Sequence, residues 1–340
     1  MHRWRKEAGS RVEGSTPLDS SKVQAPCIAR IPSGGYRLFY TAVGPGKPYP
    51  NCQGYILSAT SDDGLIFRKD PGIRLAPKPS LPHISLRVIA PTVTRLPNGS
   101  WRMYFEARGP ANRPTTICSA VSPDMLNWEI EDGIRIQSLG GIGGPRYLSL
   151  SKGRGRLYCF NLKLGEDGHL TSRKVVSAIT SDGLNFEFET YHHLRSKNSH
   201  YDTLGITASE AIPPSNTQNL WTMVYSAWQN VPAGTVVPPH PSDSDAFKNG
   251  DIEDFAAASI AYDIAGYRSR IFVAYSIDGK SWDKGKCVID GGGYESNDLD
   301  AIHAEDMSVI SISEGVYRVY YAACDRHGNW RITSAATKAH

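Results

Sequence analysis

Four carboxylates carry most of the chemistry this sequence offers. Glu210 stands in SEAI, Glu305 and Asp306 are adjacent in HAEDMS, and Glu106 ends the run YFEA. A carboxyl group whose pKa is raised by its surroundings can donate a proton while a second, ionised carboxylate activates water, so such pairs are candidates for acid–base catalysis. Glu210 is the acid candidate, with Asp306, Glu305 or Glu106 as the second carboxylate. Each of them could instead be neutralised by Arg87, Arg146 or Arg326. A second reading is metal-assisted: His303, Glu305 and Asp306, joined by Glu210 or His200, offer the imidazole and carboxylate ligands that suit zinc or a similar divalent ion. A third reading is binding without turnover. Arg87, Arg108, Arg113, Arg146 and Arg326 would favour a carboxylate or phosphate on a ligand, and Trp228, Tyr49 and Trp330 offer flat faces for stacking. Arg87, Glu106, Arg146, His200, Trp228 and Arg326 are therefore the binding candidates.

These residues can meet only if the fold brings distant segments together, and an internal repeat says how. A turn recurs as SDDGLIF, SPDMLNW, SDGLNF and SIDGKSW. Each copy is flanked by short β-rich runs, so it joins two antiparallel strands. Upstream of these lies a second signature, an aromatic-rich strand after a polar turn: SGGYRLFYTA, PNGSWRMYFEA, GRGRLYCFN, TQNLWTMVYSA and SEGVYRVYYAA. One more strand precedes each, beginning near APCIARI, APTVTRL, GPRYLSL, SEAIP and EDMSVISI. The unit is thus four strands long, and Trp4, Phe67, Trp128 and Phe186 recur at spacings of 63, 61 and 58 residues. Four-stranded units at this period are propeller blades.

The ends agree. The fifth unit stops after its third strand, WRITSAAT, while WRKEAGSRV near the N-terminus aligns with FRKDPGIRL, the fourth strand of the first unit. The expectation is an all-β chain: one five-bladed β-propeller domain over residues 1–340, whose N-terminal strand completes the last blade and leaves no long sheet edge unpaired. A pair of β-sandwiches is the alternative. One spacing departs, since Phe186 to Trp282 spans 96 residues. The excess is a Pro-rich, acidic insertion at about 229–268 in blade four, expected to be a lid over the channel mouth. Comparing the blades with one another, the residue two before the first-strand apolar position reads Ala25, Ala90, Gly144, Glu210 and Asp306. The carboxylates of blades four and five stand out.

Composition excludes several other classes. The 37 basic and 34 acidic residues are scattered, so no basic field exists to neutralise a nucleic-acid backbone. No apolar run approaches a membrane span, and MHRWRKEAGS lacks the apolar core of a signal peptide. These features point to a soluble, cytoplasmic protein with a small-molecule ligand. The six cysteines are dispersed without a CxxC, so buried free thiols are expected. Cys27 beside Pro26 is a remote candidate nucleophile. No GxSxG elbow or Walker loop is present, and GGIGG lacks the following helix of a phosphate cradle.

Five four-stranded blades with the S-x-DG-x-x-W/F turn resemble the clan of family 43 glycoside hydrolases (arabinanases and xylosidases) together with invertases and levansucrases. That resemblance covers nearly the whole chain. It implies a general-base Asp in a DP step of blade one, an AP step in blade two, a pKa-tuning Asp in blade three and a general-acid Glu in blade four. Glu210 matches the acid and Ala90-Pro91 the AP step, but the base position holds Ala25 and the tuning position Gly144. Inverting hydrolysis needs two carboxylates on opposite faces of the sugar, so the resemblance implies a divergent member. It would cleave or rearrange a small glycoside or sugar-like metabolite with Glu210 as acid and a relocated partner. The alternative is a degenerate relative that binds its ligand or runs a different, metal-assisted reaction. No cofactor is certain, and a divalent metal is the one such group the residues suggest.

Overall fold

The computed structural model describes residues 4–110, 113–150, 153–164, 170–190, 194, 205–216, 218–230 and 267–337. Five antiparallel sheets are arranged in a ring. Blade one contains Lys22–Arg30, Tyr36–Val43, Tyr55–Ser61 and Arg68–Lys69. Blade two contains Arg87–Arg95, Trp101–Arg108, Thr116–Ser122 and Glu129–Ile130, and blade three Ile142–Ser149, Gly155–Leu164, Leu170–Thr180 and Glu187–Phe188. Blade four contains Gly205–Ile212, Trp221–Asn230, Tyr267–Ser276 and Asp283–Ile289. Blade five contains His303–Ser313, Val316–Cys324 and Trp330–Thr337, and is completed by Trp4–Lys6 from the N-terminus. Among the described residues there is no α-helix, and hence none long and apolar enough to cross a membrane.

The recurring turn works through its aspartate. Asp63, Asp124, Asp182 and Asp278 each use Oδ1 to accept two backbone N–H groups, two and three residues on, and the hydroxyl of a Ser or Thr two residues back. Gly64, Gly183 and Gly279 follow in the left-handed conformation, and in blade two Met125 takes the same backbone at φ 64°. The aromatic that ends each turn packs edge-on against a second-strand aromatic of the preceding blade: Phe67 on Tyr320, Trp128 on Phe39, Phe186 on Tyr104 and Trp282 on Tyr158. The repeat is thus an inter-blade fastener, and its spacing measures the blade.

A second fastener confirms how the ring closes. Arg37, Arg102 and Arg156 on second strands pair with Asp70, Glu131 and Glu189 of their own blades' outer segments. In blade five Arg318 pairs with Glu7, contributed by the N-terminal segment. Trp4 lies opposite Thr337. The alignment of WRKEAGSRV with FRKDPGIRL is therefore also a spatial equivalence, Glu7 standing where Asp70 stands. All six cysteines are free thiols.

Of the insertion expected as a lid, positions 231–266 lie outside the described residues, between the strands that end at Asn230 and begin at Tyr267.

Candidate functional site at the propeller axis

The first strand of every blade lines the axis, and each is bulged in its N-terminal half, the blade-five strand carrying a second register shift between Ser311 and Ser313. In blades one, two, three and five the bulge holds Ala25, Ala90, Gly144 and Asp306, at φ of 49°, 50°, 55° and 49°. This left-handed backbone is uncommon outside glycine. Three of the four residues precede proline, which is why the AP and GP steps recur in the sequence. Hydroxyls cap two of the bulges across blade boundaries: Thr41 Oγ1 accepts the Ala90 N–H at 2.9 Å and Ser226 Oγ the Asp306 N–H at 3.4 Å. Glu106 plays this part for Gly144, its Oε2 accepting the amide at 3.2 Å. Its Oε1 accepts from Arg87 at 2.8 Å, in a pair buried on both sides.

The bulges turn the carbonyls that follow them toward one side chain. Arg146 donates from Nε to Met307 O at 3.1 Å, from Nη1 to Pro91 O at 3.0 Å and Pro145 O at 3.1 Å, and from Nη2 to Pro26 O at 3.1 Å. Glu210 Oε2 lies 3.7 Å from Arg146 Nε. One guanidinium thereby joins all five blades.

The blade-by-blade correspondence drawn from the sequence needs one correction here. Asp306 does share the bulge position with Ala25, Ala90 and Gly144, but Glu210 lies beyond the bulge of its strand. Thr92 Oγ1 accepts the Tyr147 N–H, Ser308 Oγ accepts the Ile28 N–H, and Glu210 Oε2 accepts the Val309 N–H at 3.0 Å. Glu210 therefore occupies the link position of Thr92 and Ser308, level with Arg146. The sequence comparison missed this because the blade-four strand lacks the proline that marks the bulge elsewhere. Burial pushes the Glu210 carboxyl up to about 7 against the opposing pull of Arg146 and the Val309 amide. The side chain keeps 23% of its surface exposed.

Asp306 is set in different surroundings. Its Oδ2 accepts a hydrogen bond from Gln24 Nε2 at 2.7 Å. Burial first, and the charge of neighbouring Glu305 second, push its carboxyl up to about 6, while Gln24, Arg146 and Lys22 draw it down. Glu305 is buried, and its Oε2 accepts the Trp228 indole N–H at 2.5 Å. The structure thus brings Asp306, Glu305 and Trp228 together and adds Gln24, which the sequence reading missed. Gln24 stands immediately before the bulge of its strand, as Glu305 does before Asp306, and that offset from the A-P step was the available signal.

Three residues before the bulges stand Lys22, Arg87 and His303, all buried. His303 stacks on Trp330 with ring centroids 5.4 Å apart, and its Nδ1 shares a hydrogen bond with Ser269 Oγ at 3.1 Å. Lys22 Nζ lies 4.4 Å from the Trp330 ring centroid. Among the described residues no three His, Cys, Asp or Glu side chains converge in a way that could hold a metal ion. His200 lies outside the described residues. Arg326 sits in the turn after Cys324, its Nε donating to His327 Nε2 at 3.3 Å, and forms no part of the axial cluster. Burial pushes the Cys27 thiol up to about 12, the opposite of an activated nucleophile.

The architecture is shared with known carbohydrate-active propellers. A thermostable family-43 glycoside hydrolase superposes with a TM-score of 0.62 at 12% identity, over 96% of this chain and 96% of that one. A complex of BT0996 with RGII gives 0.65 at 13% identity, over 99% and 93%. A member of the GH130 family, described as mannoside phosphorylases containing glycoside hydrolases that target β-1,2 mannosidic linkages in Candida mannan, gives 0.62 at 11% identity, over 98% and 93%. No family model and no curated protein matches the sequence. The fold is that of the five-bladed propeller glycoside hydrolases, and at these identities the likeness extends to the fold.

Proposed function

We propose that this chain is a carbohydrate-active enzyme that cleaves a glycosidic bond at the channel mouth, with Asp306 as general acid and Glu305 as the second carboxylate. One observation carries the reading. Asp306 is a carboxylate in a left-handed bulge at the axis, where three other blades hold Ala, Ala and Gly, and its carboxyl is pushed up to about 6. A side chain held in a sparsely populated backbone region, with a shifted pKa, is the kind of residue functional sites retain. Glycoside cleavage asks for two carboxylates, one protonated. Here burial and the Glu305 charge raise the Asp306 carboxyl to about 6, so that it holds its proton to higher pH than a free aspartate, while the Trp228 N–H fixes Glu305. The likeness of fold to glycoside hydrolases supports the choice of substrate class.

The test is hydrolysis of a panel of aryl glycosides and short oligosaccharides by the wild-type chain and Asp306→Asn. The expected result is turnover of at least one substrate, reduced by about 10²–10⁴ in the variant. No turnover at all, or turnover unaffected by the substitution, would overturn the proposal. A second reading makes Glu210 the acid, favoured by its own raised carboxyl; activity lost in Glu210→Gln but kept in Asp306→Asn would select it.

A further inference from the structure

We infer that Gln24 is a positioning residue for Asp306: its carboxamide N–H engages Oδ2 in both charge states, so that the proton of the acid is carried on Oδ1. The role of acid rests on the proposed function; the placing of the proton rests on the hydrogen bond itself. Gln24 Nε2 donates to Asp306 Oδ2 at 2.7 Å. An N–H donor is better matched to the carbonyl oxygen of a carboxylic acid than to its hydroxyl oxygen. The neutral acid therefore keeps Oδ2 as its carbonyl and takes its proton on Oδ1. Among the described residues Oδ1 makes no hydrogen bond, and the side chain keeps some exposure. A proton that is to pass to a leaving group has to sit on such an oxygen.

The backbones on both sides preset this contact. Gln24 lies opposite Thr41 in the sheet of blade one, between buried Val23 and the left-handed bulge residue Ala25. Asp306 is held by its own bulge at φ 49° and by Ser226 Oγ, which accepts its N–H at 3.4 Å. Blades one and five are also tied to either side of the pair. Lys22 Nζ lies 4.4 Å from the Trp330 ring centroid, and the Ile28 N–H donates to Ser308 Oγ at 3.3 Å.

A carboxamide suits the position because it is neutral and keeps its N–H donors at every working pH. A lysine there would hold Asp306 ionised, and a glutamate would accept where a donor is needed. The charges that Asp306 feels are Glu305 on its own strand, Lys22 from blade one and Arg146 from blade three. None of them hydrogen-bonds to its carboxyl group among the described residues, where Gln24 is the direct contact.

The test needs no substrate. Asp306 is titrated by carbon NMR in the aspartate-labelled full chain, its signal assigned by its loss in Asp306→Asn, and the wild type is compared with Gln24→Met and Gln24→Glu. An N–H favours the charged form of its acceptor, so losing it in Gln24→Met should move the Asp306 titration up by about one pH unit. The added carboxylate of Gln24→Glu should move it further in the same direction. Melting temperatures close to wild type separate these shifts from a loss of fold. In the wild type, the Gln24 side-chain amide, followed by nitrogen–proton correlation, should keep one hydrogen-bonded N–H on both sides of the titration. An amide that loses this bond as Asp306 takes up its proton has turned round, which would overturn the placing on Oδ1. An Asp306 titration unmoved in Gln24→Met would overturn the inference whatever the activity, and would leave the glycosidase reading standing. With aryl-glycoside turnover, the alkaline limb of kcat/KM should shift in Gln24→Met by the amount the NMR titration does. A limb that stays put while the Asp306 signal moves would remove Asp306 from the acid's role and leave its hold by Gln24 intact.

Discussion

The Gln24 carboxamide of blade one donates to Asp306 Oδ2 of blade five across 2.7 Å, bridging the two ends of the ring at a left-handed axial bulge where Ala25, Ala90 and Gly144 stand in blades one to three. Gln24 accompanies its own bulge residue, Ala25, and reaches over the blade boundary to the neighbour. The propeller thus positions Asp306 from two blades at once. Interactions of that kind, made between blades, position the axial carboxylates.

Asp306 can be removed without removing its backbone. Ala25 and Ala90 occupy the same left-handed bulge at φ of 49° and 50°, so Asp306→Ala keeps a residue the conformation tolerates. We expect the variant to fold with a melting temperature close to wild type and to lose activity by about 10²–10⁴, the range for deleting an acid–base group. With Asp306 as the proposed acid, its protonated form is the working one, and burial pushes its carboxyl up to about 6. Activity should therefore fall as pH rises through about 6. A pH–rate profile of kcat/KM with no limb in that region would contradict the assignment.

Glu210 should behave differently. Its carboxylate accepts the Val309 amide at the link position that Thr92 and Ser308 fill elsewhere, so Glu210→Gln keeps an acceptor in place and should leave activity within a few-fold of wild type. Its effect belongs to stability. A carboxyl raised in the folded state holds a proton that the unfolded chain releases at lower pH. Folding stability is then fullest below the unfolded carboxyl pKa, about 4.3, and declines as pH rises toward the folded value of about 7. Urea titrations from pH 4 to 8 should show that decline in the wild type and a flatter profile in Glu210→Gln. Asp306 contributes in the same direction, so the comparison is made between the two proteins at each pH.

The fold was legible because its determinants are local and repeated. The Asp of each S-x-DG turn makes its hydrogen bonds within three residues, and the aromatic after it lands on the preceding blade in every copy. The match of WRKEAGSRV to FRKDPGIRL likewise follows from one demand, an acid facing a second-strand arginine. The site was only partly legible. Asp306 stood out by comparison with Ala25, Ala90 and Gly144, but the blade-four bulge has no proline to mark it, and Glu210 was assigned to the wrong register. Gln24 and Trp228 act across blade boundaries, over separations of 282 and 77 residues, and nothing in their local sequence announces which partner they will meet.

Arg146 offers the sharpest structural test. Its guanidinium donates to backbone carbonyls of blades one, two, three and five and lies beside Glu210 of blade four. Arg146→Met would fill similar volume while removing the donor to those four carbonyls and the positive charge beside Glu210. Breaking a buried charged partner costs roughly 3–5 kcal/mol, so the urea midpoint should drop sharply. Arg146→Lys should recover only part of that, because an ammonium cannot present the planar fork to four carbonyls. An unchanged midpoint in Arg146→Met would mean that the ring is held by its sheets and turns alone.

The closing strand gives the last test, because the same pair exists in four blades and only one copy joins chain segments far apart in sequence. Glu7 receives Arg318 Nε and Nη2 and the Ser334 hydroxyl, as Asp70 receives Arg37 and Ser58 within blade one. Arg318 is nearly buried, its side chain 9% exposed. Glu7→Ala would strand that cation, at a cost of about 1–3 kcal/mol for hydrogen bonds to a charged group. The exposed pair of Asp62 and Arg68, with side chains 87% and 69% accessible, is the control, and Asp62→Ala should change stability by less than about 1 kcal/mol. Loosening the N-terminal strand also bares the edge of Trp330–Thr337, which it pairs. Unpaired edges recruit other chains. Glu7→Ala should consequently show faster amide exchange along Trp330–Thr337 and a concentration-dependent rise in aggregation, whereas Asp70→Ala, which leaves its strand covalently inside its own blade, should lose comparable stability without the aggregation.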